Sequence, residues 1–280
     1  MDSMGLRVNT NISSLVAQRS LNGTRASLSK NMERLASGSR INTAGDDAAG
    51  LAISENLRAQ VRGLKQAKRN AQDGVSLIQV SEGGLNEVTN ILIRLRELAI
   101  QSASDTVGDR ERSFTDREFQ ALKSEVDRIA MSTNFNGTPL LNGRAGIFEI
   151  QVGTGNNPLT DRIVYDGQNA DISLEALRMT GESVATKQGS QLTLSVIDDA
   201  ISQVSKVRSD LGAMQNRLQS TINNLAVNEE NMTAANSRIR DADLAEEVSE
   251  MTKNNILMQA GISVLGQANS AAQSALKLLG

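Results

Sequence analysis

Helix breakers are distributed very unevenly along this chain, and that distribution constrains the fold more than any other feature. Both prolines, Pro139 and Pro158, and all five aromatic residues, Phe114, Phe119, Phe135, Phe148 and Tyr165, lie between residues 114 and 165. A helix cannot run through an interior proline without losing a backbone hydrogen bond and clashing with the preceding turn, so the two proline-free flanks are free to form long helices. In the first flank apolar residues recur at Leu57, Val61, Leu64, Ala71, Val75, Ile78, Leu85, Val88, Leu92 and Leu95, at spacings of three, four or seven. In the second, Ile197, Ile201, Val204, Leu211, Met214, Leu218, Ile222 and Leu225 repeat the pattern. Both are coiled-coil seams. A helix over about residues 192–228 would span ~55 Å at 1.5 Å per residue.

Two seams in one chain are expected to pack on each other. The fold class is therefore mainly α: an antiparallel helical, coiled-coil assembly, which periodicity alone leaves open as an ordinary bundle or an elongated rod. A shorter helix at 115–130, with Phe119, Leu122, Val126 and Ile129 on one face, would complete it. Asn136-Gly137 and Asn142-Gly143 are turn dipeptides. The apolar runs Gly146–Val152 and Arg162–Tyr165, on either side of Gly153-Thr-Gly-Asn-Asn-Pro158, predict a small β-hairpin region within about 134–166. Residues 166–190 are polar and predict a connector, with at most a short helix at Leu174–Arg178.

The outermost segments differ from these flanks. Residues 6–44 carry only a thin apolar stripe at Ile12, Leu15, Leu21, Leu28, Met32 and Leu35, and residues 240–280 carry Leu244, Val248, Met251, Leu257, Leu265 and Leu276. Helices so thinly apolar gain most of their stability from packing on other elements or subunits. Both ends are expected to be mobile in the free chain and ordered on assembly.

Composition removes whole classes of chemistry. With no His and no Cys the chain lacks the usual proton shuttle near neutral pH, the usual transition-metal ligands and all disulfides. Its 29 basic and 32 acidic residues are interspersed, which speaks against nucleic-acid binding. No run approaches the length of a membrane span, and Met1–Asn11 has no apolar stretch with a cleavage site, so membrane insertion and a cleaved signal peptide are not expected.

Four features resemble chemical sites. Gly38, Gly45 and Gly50 surround Asp46-Asp47, a set able in principle to hold a divalent cation, but its spacing fits a break and an N-cap for a helix starting near Ala48 far better. Asp198-Asp199 likewise fits the start of the return helix. Gly153-Thr-Gly155 is too short for a nucleotide fingerprint, and Glu246-Glu247 and Glu250 sit at the spacing of a solvated or intersubunit helix face. No catalytic residue, cofactor or metal site is predicted, and a carboxylate-dependent enzyme on a helical scaffold stands as a distant alternative.

Several motifs taken together resemble the bacterial flagellin family. Asn9-Thr-Asn-Ile-Ser-Ser-Leu15, Leu35-Ala-Ser-Gly-Ser-Arg-Ile-Asn42 and Asp46-Asp-Ala-Ala-Gly-Leu-Ala-Ile53 carry its N-terminal signature. Arg69–Gly74, Arg94–Ser102, Asn134–Gly137, Leu211–Arg217, Ser237–Asp243 and Gln259–Leu265 extend the likeness over almost the whole chain. The resemblance implies a structural subunit that polymerises into the flagellar filament for swimming motility, with a cap or junction protein of the same axis as the second reading.

It further implies a terminal core domain of residues 1–45 with 240–280 on the lumen side and a helical rod of 46–239, without the large outer domains many flagellins insert. Ile12, Leu15, Leu28, Met32, Leu35, Val248, Met251, Leu257, Leu265 and Leu276 would then pack the terminal helices between subunits. The implied partners are further copies of the chain, the flagellin export chaperone through about 240–280, and the hook-filament junction and cap proteins. An innate immune flagellin receptor would contact Arg94, Leu98 and Glu125, although Ile93 stands where that motif often has Gln. The implied location is extracellular, in the flagellum, after export without a cleaved signal peptide.

Overall fold

A computed structural model describes residues 10–277, with side chains described through residue 271. The elements are α1 (Ile12–Ser37), α2 (Ala48–Ala103), α3 (Asp109–Ser132), β1 (Asn134–Phe135), β2 (Thr138–Pro139), β3 (Ile147–Gln151), β4 (Arg162–Asp166), α4 (Lys187–Arg240) and α5 (Leu244–Lys277). They form two compact units. One takes the described residues up to Ala59 and from Asn231 onward, and the other is Gln60–Glu230, so α2 and α4 each contribute to both.

The Gln60–Glu230 unit is built on the predicted seams. Along α2 the positions Ala71, Ile78, Leu85, Leu92 and Ala99 recur every seven residues, as do Gly74, Ser81, Val88, Leu95 and Ser102, and all ten are buried. The α4 positions Ile197, Val204, Leu211, Leu218 and Leu225 repeat the same interval and are buried too. A strict seven-residue repeat keeps one stripe of each helix facing its partner over many turns, which explains how so few bulky residues make a continuous core. Helix α3 begins six residues before the predicted start and adds Phe119, Val126 and Ala130 to the same core.

Helix α4 starts at Lys187, so Asp198 and Asp199 lie beyond its first turn, which contains no acid. The helix-start reading of these acids is corrected: Asp198 is held by Arg96 of α2, Nε to carboxylate at 2.7 Å, and acts as a bridge between helices.

The Asn136-Gly137 dipeptide forms the expected turn. Asn136 and Gly137 both adopt positive φ, 51° and 80°, joining β1 and β2 through the two-residue turn whose twist suits a hairpin. Strands β3 and β4 pair antiparallel from Ile147 opposite Asp166 to Gln151 opposite Arg162. Phe148 and Tyr165 face each other on the inner side, and the buried Tyr165 hydroxyl donates to Leu140 O at 3.2 Å.

The connector is more than a polar spacer. After a 3-10 turn at Gly167–Ala170 it buries Ile172, Leu177, Met179 and Val184 against the core. The short helix predicted at Leu174–Arg178 is reduced to one turn, closed by Met179 N donating to Leu174 O at 2.9 Å and Arg178 N to Glu175 O at 3.1 Å. That closure leaves Arg178 at φ 56°, in the left-handed region that normally belongs to glycine at a helix end.

In the other unit, α1 and α5 run antiparallel. Asn11 caps α1 by accepting from Ser14 N at 3.0 Å, and Gly38, at φ 68°, ends it by donating to Arg34 O at 2.8 Å. Asp47 caps α2 through Gly50 N at 2.8 Å, as its position before Ala48 predicts. Asp243 does the same for α5, accepting from Ala245 N at 2.9 Å.

Candidate self-assembly surface

Between α1 and α5 the contacts are largely polar or small. Asn11 Nδ2 donates to Ala268 O at 2.9 Å, and Gly261 lies so near Leu21 that an added Cβ would stand 3.1 Å from Leu21 Cδ1. Arg34 pairs with the buried Glu247 at 2.9 Å, and Asn31 and Asn254 are also buried. Where the helices meet their loops, Arg40 N donates to Arg240 O at 2.6 Å and Ala242 N to Gly38 O at 3.0 Å. Arg240 in turn pairs with Glu55 at 2.6 Å.

The cluster around Asp46 belongs to this same corner. Its carboxylate bonds Lys30 at 2.6 Å and accepts from the backbone N–H groups of Thr43 and Asn42 at 3.1 and 3.3 Å. Those contacts, led by the Lys30 hydrogen bond, hold the carboxyl far below the ordinary carboxylate range. Every oxygen thus has a structural employment, and among the described residues no group of three or more His, Cys, Asp or Glu is placed to hold a metal. No helix among them is long and apolar enough to cross a membrane.

The outward faces of the pair carry the apolar residues. Of the positions predicted to pack there, Leu28 is buried, Leu35, Met251 and Leu265 are half-buried, and Ile12, Leu15, Met32, Val248 and Leu257 are exposed. The side chain of Leu276 lies outside the described residues. Val16, Leu244, Ile256, Ile262 and Val264 are exposed as well, Ile256 at 62 %. A helix pair in a self-sufficient domain shows the reverse arrangement, with apolar groups enclosed and polar groups outside.

The residues predicted for receptor contact fall in the other unit. Arg94 is half-exposed and binds Glu97 and Glu118, each at 2.9 Å. Glu125 is tied to Arg128, whose hydrogen bond holds its carboxyl below the usual range. Leu98, in contrast, points into the core at 2 % exposure and supports this surface from beneath.

A second polar network was not visible in the sequence. Arg112 is buried and donates to Ser102 O at 2.9 Å and Ser104 O at 2.8 Å, satisfying carbonyls at the C-terminal end of α2. Lys123 is also buried, donating to Thr180 O at 3.1 Å and Glu182 O at 3.0 Å, and burial pushes its ammonium below the ordinary lysine value. Charged residues on a helix read as solvated by default, and only the open carbonyls at the end of α2, for Arg112, and of the folded connector, for Lys123, turn these two inward.

Residues 8–145 match the bacterial flagellin N-terminal helical region, and residues 194–279 match the bacterial flagellin C-terminal helical region. The chain belongs to the bacterial flagellin family. Among flagellin relatives, it is 46 % identical to a flagellin of Halalkalibacterium halodurans over 97 % of this chain and 99 % of that one. It is 43 % identical to a flagellin of Bacillus subtilis, over 98 % and 100 % of the two chains. The flagellar filament 33 kDa core protein of Treponema phagedenis is 44 % identical over 97 % of this chain and 99 % of its own. Among solved structures, Bacillus cereus flagellin aligns over 60 % of this chain and 94 % of its own, with a TM-score of 0.51 and 30 % identity. This flagellin is a structural subunit of the flagellar filament, polymerises with copies of itself and serves motility through the flagellum.

Proposed function

We propose that the outer faces of α1 and α5 are the surfaces through which this flagellin polymerises, and that packing them against neighbouring subunits completes a unit left unfinished in the single chain. The observation that carries the reading is the inversion between these helices: Glu247, Asn31 and Asn254 are enclosed while Ile12, Leu15, Met32, Val248 and Leu257 face solvent. Water-exposed apolar faces of this extent are the mark of an interaction surface. Leu28 is enclosed in the pair, residues 1–45 with 240–280 are the terminal domain on the lumen side of the filament, and 46–239 are the rod.

The same reading extends to partners and location. The export chaperone covers residues 240–280 before assembly, and the chain leaves the cell by the flagellar export route without a cleaved signal, to meet the hook-filament junction and the cap. Arg94 and Glu125 form the exposed part of an innate immune receptor contact, with Leu98 beneath them. The chain performs no catalysis.

The test is polymerisation of Leu15→Ser with Leu257→Ser, two exposed positions whose change leaves the folded subunit intact. The doubly substituted protein is expected to keep the native thermal transition and to fail to form filaments at concentrations where the native chain polymerises. Filaments from both proteins at the same concentration would remove the outer faces from the assembly surface. Binding of a 240–280 peptide to the chaperone, in parallel, separates export from polymerisation.

A further inference from the structure

The chain holds three Asn-Gly pairs, beginning at Asn22, Asn136 and Asn142. An asparagine before glycine can modify itself. The glycine nitrogen, unshielded by any Cβ, attacks the side-chain amide carbon, expels ammonia and closes a succinimide ring. The fold sets the three pairs apart. Gly23 lies inside α1, where its N–H is committed to the helical ladder. Asn136 has φ 51° in the two-residue turn between β1 and β2, and that left-handed backbone carries the next nitrogen to the far side of Cα from the side chain.

Asn142-Gly143 meets the opposite conditions. Gly143 N has no hydrogen-bond partner among the described residues, and both residues are half-buried, within reach of water. Asn142 Oδ1 accepts from Arg144 N at 3.1 Å, a side-chain turn that holds Cγ in one small ring with the Gly143 nitrogen. The same N–H polarises the amide carbonyl and is placed to stabilise the oxyanion that attack creates. Glycine is required at 143, since its φ is 67° and a Cβ there would stand 2.5 Å from Asp171 Oδ2.

We propose that Asn142 is a self-modification site, converted to aspartate and isoaspartate by reaction with the Gly143 nitrogen and water. Hydroxide takes the Gly143 amide proton, the nitrogen bonds to Cγ, and the carbonyl electron pair moves onto Oδ1. The Cγ–Nδ2 bond then breaks, Nδ2 takes a proton from water, and ammonia leaves while hydroxide is restored. Water opens the ring at either carbonyl. Breaking the bond from nitrogen to Cγ yields aspartate, and breaking the bond to the main-chain carbon of residue 142 yields isoaspartate, with the chain rerouted through Cβ and Cγ. Either product adds a negative charge next to the glycine against which Asp171 lies, and like charges repel. Leu141 O accepts from Ile172 N at 3.0 Å between two fully buried residues, so the change loosens a link that docks the connector on the core.

Conversion rates at the three asparagines, followed by peptide mass mapping with isoaspartate detection, test the site in the native full-length chain and in the same chain unfolded in guanidinium chloride. Folding is expected to slow Asn22 and Asn136 by about tenfold or more and to leave Asn142 within about threefold of its unfolded rate. The rate at Asn142 should rise in proportion to hydroxide concentration. Folding that slows Asn142 as much as the other two, or a rate indifferent to hydroxide, would overturn self-modification at this site. Asn142→Asp keeps an acceptor for Arg144 N and is expected to exchange the Ile172 amide about tenfold faster than the native chain. An unchanged exchange rate would overturn the loosened link. Assembly through α1 and α5 stands or falls separately from all of these outcomes.

Discussion

The two compact units use similar helices to opposite ends. In Gln60–Glu230 the seven-residue repeats of α2 and α4 are enclosed with Phe119 and Val126, and charged pairs such as Arg96–Asp198 lie outside. In the unit of α1 and α5 the enclosed groups include Asn31, Glu247 and Asn254, and the exposed ones include Ile12, Leu15, Ile256 and Leu257. The first distribution describes a body complete by itself. The second, under the proposed assembly, describes a body whose core is supplied by its neighbours. The difference teaches that helical periodicity locates an apolar stripe without telling whether the chain itself or another copy will cover it.

That contrast can be broken by substitution, and the largest effect belongs to the complete unit. Leu92→Ala removes a fully buried seam residue and is expected to cost about 2–5 kcal/mol, lowering the denaturation midpoint in a urea titration followed by circular dichroism. The same truncation at exposed Leu257 should move that midpoint by no more than about 0.5 kcal/mol. Equal costs at the two positions would erase the distinction between the units.

Glu247→Ala sharpens it, because it leaves the partly enclosed Arg34 without its carboxylate. A loss of about 1–3 kcal/mol is expected, read as lower helicity and faster amide exchange in α1 and α5. Arg178→Gly in the complete unit should instead stabilise by about 1 kcal/mol, since glycine tolerates the positive φ at that helix end and the arginine side chain is exposed. A loss of stability there would show that the arginine side chain contributes something beyond its backbone position.

The smallest effect is one of pH. Because the Asp46 carboxyl lies far below its ordinary value of 3.8 when folded, the stability it contributes is fully present above that value and is lost only as pH falls toward the folded one. Acid titration of the native chain, followed by amide signals of residues 42–50, should show this loss below about pH 4, and Asp46→Asn should remove it. An unchanged titration in the variant would assign the acid response to other carboxylates.

Much of this contrast was legible in the residues. The seams of α2 and α4, the Asn136-Gly137 turn, the β3–β4 pair and the Asp47 cap all declare themselves through local chemistry, because period, turn geometry and capping act over a few neighbours. The ends of elements were harder to read. Helix α3 opens with Asp109-Arg-Glu-Arg112 and α4 closes with a polar stretch to Arg240, and neither carries an apolar stripe to mark it. The connector hid its core residues, since Ile172, Leu177, Met179 and Val184 are spaced at five, two and five, which matches neither a helix nor a strand. Arg112 and Lys123 were illegible for a related reason: their partners are backbone carbonyls left open by the fold, at the end of α2 for Arg112 and in that connector for Lys123. In the assembly surface the apolar positions were visible and their direction was not, because outward and inward stripes have the same period.

Amide hydrogen exchange on the free subunit and on its filament distinguishes a terminal helix pair completed by its neighbours from one complete in the single chain. In the free subunit α1 and α5 are expected to exchange much faster than the seam residues of α2 and α4, and polymerisation to slow exchange in α1 and α5 far more than in the seams. Terminal helices as protected in the free subunit as the seams, and unchanged on polymerisation, would contradict completion by neighbours.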